Sequence, residues 1–452
     1  MSAQEITQTI NGKIIDNTTK EPLPYVSIIL KNTNPTIGTI TNEKGNFKLK
    51  NIKVGRQTIL ISMLGYETYT IKELLVSSGR PINLNIELTP TNMQLDEIVI
   101  GLNKIKALNT MTTVSSRQFT VEETQRYAGG LDDPARLSSA FAGVANPSIS
   151  DNGISIRGNN PDGLLWRIEG VEVPNPNHFA NLTVTGGGLL SAISSQMMGN
   201  SDFYTGAFPA EYGNASSGVF DIKLRNGNNE KPQYSFEAGI LGVNAMTQGP
   251  FKKNNEATYI VNYRNSTMAL LAPLLPDDAG VLKYQDISFK LNIPTKKSGI
   301  FTFWGLSALD AVNYKAKDSI NWKANYDRDN SKTKIYMYAT ALSHKIILPK
   351  EIYLKSSIAF TGNGLDFKEE RLDKKLQLHP QSKAFNKNNN FIFQSEISKK
   401  FNYTHRNKTG IRFTNKNFKI DANESQSEGE PPVAIATKNG NTSLVQVYSQ
   451  SQ

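Results

Sequence analysis

Residues 154–171 read ISIRGNNPDGLLWRIEGV and residues 203–224 read FYTGAFPAEYGNASSGVFDIKL. Ile154 and Ile156 alternate with Ser155 and Arg157, the pattern of a half-buried strand. Asn159-Asn160-Pro161-Asp162-Gly163 is dense in turn formers. Leu164 to Ile168 is then expected as the return strand, ended by Glu169-Gly170. That hairpin would set Arg157 and Glu169 side by side as a polar pair near the strand ends. The second run continues the same glycine-punctuated β character.

Just before this stretch the pattern is helical. Thr120 and Glu123 fit a capping box and Gly129 a stop. Asp133-Pro134 opens a second helix with proline at its first position, and Leu137, Phe141 and Val144 fall roughly on one face of it. A further short helix is expected around Gly188 to Met198. All three would pack on the β-region as core.

From about residue 233 the period changes to two over longer segments. Ile287, Phe289, Leu291 and Ile293 alternate with Ser288, Lys290 and Asn292, and Thr258–Arg264 and Ile352–Phe360 behave alike. About nine such segments are separated by turn stretches such as Pro294 to Gly299. Ten-residue units with one apolar face, and aromatics near their ends, are the pattern of a transmembrane β-barrel.

Residues 8–90 carry shorter strands at closer spacing: Tyr25 to Leu30, Phe47 to Leu49, Thr58 to Met63 and Ile82 to Leu88. These predict an all-β sandwich. Between sandwich and β-region, Leu95-Asp96-Glu97-Ile98-Val99-Ile100 is a short acidic, β-branched segment, suited to adding as an edge strand to a partner or to closing the sandwich.

Composition narrows the chemistry. The 452 residues hold no cysteine, so there is no disulfide, thiolate metal site or thiol nucleophile. No run approaches the roughly eighteen apolar residues of a spanning helix; the longest, Met268 to Leu275, contains a proline. The formal charge of +10 comes from lysines and arginines scattered through hairpin-like segments, not from a compact basic helix, which argues against a nucleic-acid partner. His178, His344, His379 and His405 lie far apart and no His-Glu-x-x-His motif exists, so neither metal, cofactor nor catalytic constellation is expected.

Two resemblances organise these readings. Gly12 to Asp16, Pro22 to Val26, Gly38-Thr39, Gly45 to Phe47 and Gly65-Tyr66 resemble the carboxypeptidase regulatory-like domain, which is not the catalytic part of those peptidases. Ile156-Arg157-Gly158, Ile168-Glu169-Gly170-Val171 and Glu211-Tyr212-Gly213, in that order over some eighty residues, resemble the plug domain of TonB-dependent outer-membrane receptors. The second motif usually carries aspartate; Glu169 keeps the charge. The combination looks like receptors of the Bacteroidetes type.

The resemblance implies a mainly β chain: a sandwich over 8–90, a connector over 91–110 with a candidate TonB box at 95–100, an α+β plug over 111–228, and the first part of an antiparallel transmembrane β-barrel over 229–452. It implies a non-enzymatic importer in the outer membrane, sandwich and plug on the periplasmic side. The TonB-ExbB-ExbD complex and outer-membrane lipid are its partners, with a substrate-capturing surface lipoprotein in part of the family. Substrate (glycan, siderophore-bound iron or peptide) would meet the plug loops at Asn159, Asn160 and Asp162 and at Asn175, Asn177, His178 and Phe179. Plugged transporters have about 22 strands, so nine strands make this the N-terminal part of a longer receptor, with leader and further strands outside it. A cell-surface β-rich adhesive protein is the other class this composition allows, but it has no use for plug motifs preceded by an acidic box.

Overall fold

β1 (Thr7–Asp16) pairs antiparallel with β4 (Asn46–Lys53) and parallel with β7 (Ile82–Leu88). A second sheet runs in the order β3 (Ile37–Ile40), β2 (Ser27–Leu30), β5 (Gly55–Ser62), β6 (Tyr69–Val76). Their inner faces enclose Ile10, Ile14, Val26, Ile28, Leu49, Ile52, Ile59 and Ile61, all essentially inaccessible. Alternation of apolar and polar positions along each strand puts these residues on one side, and two such faces packed together make a small sandwich. The computed structural model describes residues 6–79, 82–91, 109, 111–112, 115–119, 123–124, 130, 133–146, 151–182, 184–239, 242–253, 255–268, 281–402 and 405–452. The candidate TonB box at 95–100 lies outside the described residues, as does most of the segment assigned to the first helix.

The central region carries a five-stranded sheet in the order β12 (Val171–Glu172), β11 (Leu164–Ile168), β16 (Gly218–Ile222), β15 (Ser201–Tyr204), β8 (Ser116–Phe119). The remaining short strands are β9 (Val144–Ala145), β10 (Ser155–Ile156), β13 (Asn177–His178) and β14 (Leu190–Ser191). Three expectations change here. β10 pairs with β9, not with β11. One edge of β11 is taken by β16 in parallel register from Leu164↔Gly218 to Ile168↔Ile222, and the other by β12. The helix opened by Asp133 is a single turn, α1 (Pro134–Leu137), followed by a 3-10 turn, and Phe141 and Val144 reach the core from extended backbone. Asp133 does cap it, its Oδ1 accepting from Ala135 N at 2.8 Å. The helix expected over 188–198 is instead β14 and a 3-10 turn at Ser195–Met197.

The described residues from 233 on form one ten-stranded antiparallel meander, one strand more than the periodicity counted. It runs β17 (Gln233–Ala238), β18 (Gly242–Pro250), β19 (Thr258–Ser266), β20 (Val281–Pro294), β21 (Ile300–Tyr314), β22 (Asp329–Leu348), β23 (Ile352–Leu372), β24 (Leu378–Lys400), β25 (Arg406–Glu424), β26 (Val433–Ser451). Links at one end, 251–257, 295–299, 349–351 and 401–405, are all seven residues or fewer; the other end holds the three longest, 267–280, 315–328 and 425–432, beside the short 239–241 and 373–377. One face of this sheet is buried against the central region: Ile260, Trp304, Leu306, Ala308, Met337, Ala339, Ala341 and Ile392 share a single core with Trp166, Ile168, Phe203 and Phe220. The opposite face exposes Phe303, Leu342, Ile358, Phe360, Phe393, Ile411, Val445 and Val447. β17 and β26 do not pair, so the sheet is open.

Candidate functional site

The seam between central region and sheet is where buried charge collects. Glu169 and Gly170 form the two-residue link between β11 and β12, closed by Ile168↔Val171. Both have positive φ, 53° and 86°, as a tight primed hairpin turn requires. A glutamate in that conformation needs outside support, and the sheet supplies it. Its Oε1 accepts from Lys290 Nζ at 2.9 Å and from Leu224 N at 2.8 Å; Lys345 Nζ lies 3.9 Å from Oε2; and Lys355 Nζ donates to its backbone oxygen at 2.9 Å. Burial alone would push the carboxyl up, but Lys290, Lys345 and Lys223 hold it well below the usual carboxylate range.

The neighbouring Arg167 lies on the same hairpin. It donates through Nε and Nη2 to Gly170 O at 3.2 and 2.8 Å and through Nη1 to Glu211 Oε2 at 3.0 Å. Its guanidinium stacks on the Tyr212 ring with 4.6 Å to the centroid. Glu211 also accepts from Lys408 of β25 at 2.6 Å and from Asn109 at 2.8 Å. Burial would push its pKa up; Lys408 and Arg167 hold it well below the ordinary value. Glu172 pairs with Arg412 of β25, and Asn214 exchanges side-chain hydrogen bonds with Gln446 of β26.

A second cluster sits toward the long-link end. His178 Nδ1 is 2.5 Å from Asp310 Oδ1 of β21, and Nε2 is 2.9 Å from Asp286 Oδ2 of β20. Phe179 N donates to Asp310 Oδ2 at 2.7 Å. Arg264 of β19 braces Asp286 at 2.9 Å and reaches Ser191 O at 2.7 Å. Burial disfavours the imidazolium, yet the two aspartates outweigh it and raise His178 above its ordinary value. Asp286 and Lys290 are four residues apart on one face of β20. The two clusters are therefore about 13 Å apart along that strand.

Every one of the ten strands reaches the central region with at least one polar side chain. Ser235 of β17 meets Gln196, Gln248 of β18 meets Arg225, Lys345 of β22 and Lys355 of β23 meet Glu169, and Gln394 of β24 meets Gly170. With Arg264, Asp286, Asp310, Lys408 and Gln446 the ring of contacts is continuous from the first strand to the last. The sheet wraps the domain.

The fold is that of plugged outer-membrane receptors, behind an N-terminal regulatory-like domain. Residues 10–100 match the CarboxypepD_reg-like domain family. The TonB-dependent transporter Oar of Myxococcus xanthus is 23% identical over 231 residues, 49% of this chain and 21% of that protein. The pyoverdine outer membrane receptor FpvA from Pseudomonas aeruginosa PAO1, solved bound to pyoverdine, has the same fold, with a TM-score of 0.52 at 12% identity over 75% of this chain and 54% of that one. The FpvAI–pyocin S2 complex gives 0.52 at 11% identity, over 75% and 50%. This chain thus spans about a fifth of Oar and about half of each solved receptor.

Against this receptor frame the expected site residues separate. Arg157 and Glu169 do not pair: Arg157 is exposed on its own positive-φ turn with Gly158, while Glu169 is buried among lysines. The cause is the pairing of β10 with β9, which carries Arg157 away from the β11 hairpin. Asn159, Asn160 and Asp162 are exposed and Asn175 is half-buried. Asn177, His178 and Phe179 are buried, clamped by the barrel wall instead of open to a ligand. Glu211 and Tyr212 are buried in the Arg167 network and Gly213 lies against Gln446. Lys290, Asp286, Asp310 and Lys408 were missed; a charged residue at an inward position of an alternating strand was the available signal.

Proposed function

We propose that this protein is an energised importer of the outer membrane, in which the plug is drawn aside by the TonB-ExbB-ExbD complex acting on residues 95–100. The seating of the plug supports this reading most: it is held by buried ion pairs and hydrogen bonds from all ten strands, strong enough to block a pore yet made of contacts that separate without covalent change. The exposed apolar face of the sheet suits contact with lipid. The short-link end would face the periplasm, with the sandwich and plug entrance, and the long-link end the outside. Transport needs no catalytic group.

The substrate belongs to the classes that need active capture: a glycan fragment, a siderophore-bound metal or a peptide. Above the plug the inward positions of β23 and β24 include Asn363, Asn386, Asn388 and Asn390, side chains that favour a polar substrate with many hydroxyl or amide groups. A surface lipoprotein would serve as capture partner for the glycan case. Strains carrying the protein, a 95–100 deletion, or no TonB function are to be fed glycan digests, ferric siderophores and peptides. Growth or uptake on one class only with box and TonB present is expected. Uptake that persists without TonB, or absence of the protein from the outer-membrane fraction, would overturn the proposal.

A further inference from the structure

Strand register places the charges on the outward face in rows. Tyr336 of β22 lies opposite Gly364 of β23, then Lys387 of β24, then Lys419 of β25. One step below are Tyr338, Asn389, Asn417 and Asn441, linked by Tyr338 Oη to Asn389 at 2.8 Å and Asn441 to Asn417 at 2.6 Å. Below these come the exposed Phe360, Leu342, Ile358 and Phe393, with half-buried Phe391 among them, as the apolar band. Tyr336 and Tyr338 thus mark the upper aromatic girdle, where lipid tails give way to headgroups. Lys387 and Lys419 are at that level.

Like charges directly opposite on neighbouring strands repel. Lys387 and Lys419 are such a pair. Four residues higher, roughly 13 Å along the strands, Lys332, Lys368 and Lys383 are directly opposite one another on three adjacent strands. All five are exposed, and among the described residues none has a carboxylate within ion-pair distance. The intervening row brings Lys334 with Asp366 and Asp421, and Glu370 lies one step beyond Lys368, so six lysines face three carboxylates. A shallow depression of about 420 Å³ lies at the lower pair, lined by Lys387, Asn389, Asn417, Lys419, Asn439 and Asn441. Cations lining a depression, beside amides able to hydrogen-bond hydroxyls, offer the groups that a phosphorylated sugar would need.

We propose that this face of β22–β26 binds the phosphorylated headgroup of an outer-leaflet glycolipid, Lys387 and Lys419 holding a phosphate at the girdle and the Lys332–Lys368–Lys383 row meeting anionic groups further out. The site rests on the outer-membrane reading above. It is an annular lipid site, separate from the plug and from substrate.

The test uses the protein expressed from its own gene and purified from outer membranes in mild detergent, with bound phosphorylated glycolipid counted per polypeptide by mass spectrometry. Lys387→Gln with Lys419→Gln is expected to lower retention at least threefold. Lys296→Gln with Lys297→Gln, which removes the same charge from the short-link end, is expected to change nothing. Melting in glycolipid-free detergent is expected to be unchanged or raised in the Lys387/Lys419 variant, because a repulsion is removed; this shows that a lost lipid is not a lost fold. Equal retention in wild type and variant, an equal drop in the control pair, or a polypeptide retained there in place of glycolipid overturns the proposal. Absence from the outer-membrane fraction would sink the importer reading along with it.

Discussion

The carboxylate of Glu169 lies 2.9 Å from the ammonium of Lys290, 121 residues further along the chain, and joins the plug hairpin to the barrel wall. Both groups are buried. Removing one partner of a buried pair leaves an uncompensated charge and costs about 3–5 kcal/mol, whereas replacing both by apolar or neutral groups is often close to neutral. Lys290→Met is expected to speed hydrogen exchange of amides 164–172 by a hundredfold or more. The double variant Lys290→Met, Glu169→Gln is expected to recover most of the protection. Equal exchange in wild type and Lys290→Met would show that the pair does not seat the plug.

The two seams respond to pH in opposite directions. His178 is raised above its ordinary value of 6.5, so its contribution is full below that value and is lost as pH rises through the higher folded one. Glu169 is lowered from 4.5, so its contribution is full above that value and is lost only as pH falls through the lower folded one. Plug melting followed from pH 4 to 10 is expected to fall on the alkaline side in wild type, and His178→Gln is expected to flatten that limb alone. A variant that keeps the alkaline limb would remove His178 as its source.

Arg167 binds Gly170 O through two nitrogens and Glu211 through a third. A lysine cannot reproduce that fork. Arg167→Lys is expected to destabilise the plug by about 2–3 kcal/mol, since it leaves a buried carboxylate and carbonyl short of donors. Denaturant melts of the detergent-solubilised protein would show this as a lower midpoint with unchanged slope.

Two glycines make a sharp contrast. Gly186 has φ +82°, and a Cβ there would stand 2.2 Å from Asp162 N and 2.3 Å from Pro161 C. Gly158 has φ +80° with open space around it. Gly158→Ala is expected to cost only the left-handed backbone penalty, roughly 1–2 kcal/mol. Gly186→Ala must also displace the 161–163 turn and is expected to abolish accumulation of folded protein. Similar expression of both variants would contradict this.

Strand alternation carried much of the fold. The period of two identified the barrel segments because the strands have one exposed face carrying apolar residues and one face turned to the plug. The short motifs Glu169-Gly170 and Glu211-Tyr212 marked the seam, since a turn with two positive φ values and a buried acid both leave local traces. Partner identity left none. Nothing near Arg157 shows that β10 turns to β9, and nothing near His178 shows that Asp286 and Asp310, more than a hundred residues away, close around it. The helix read over 133–144 failed for a related reason: Leu137, Phe141 and Val144 all reach one core, so the spacing fitted a helix, but tertiary packing buries them from a turn and extended backbone.

The most direct test of an energised plug needs no substrate. The chain has no native cysteine, so Ile168→Cys places a single thiol in the plug–wall core, where Ile168 is 1% exposed. In living cells this thiol is expected to react with a small maleimide when TonB is active and the proton gradient intact, and to be protected at least tenfold after TonB deletion or uncoupling. Labelling at the same rate in all three conditions would contradict the account, because the plug would then move, or stay fixed, without regard to TonB.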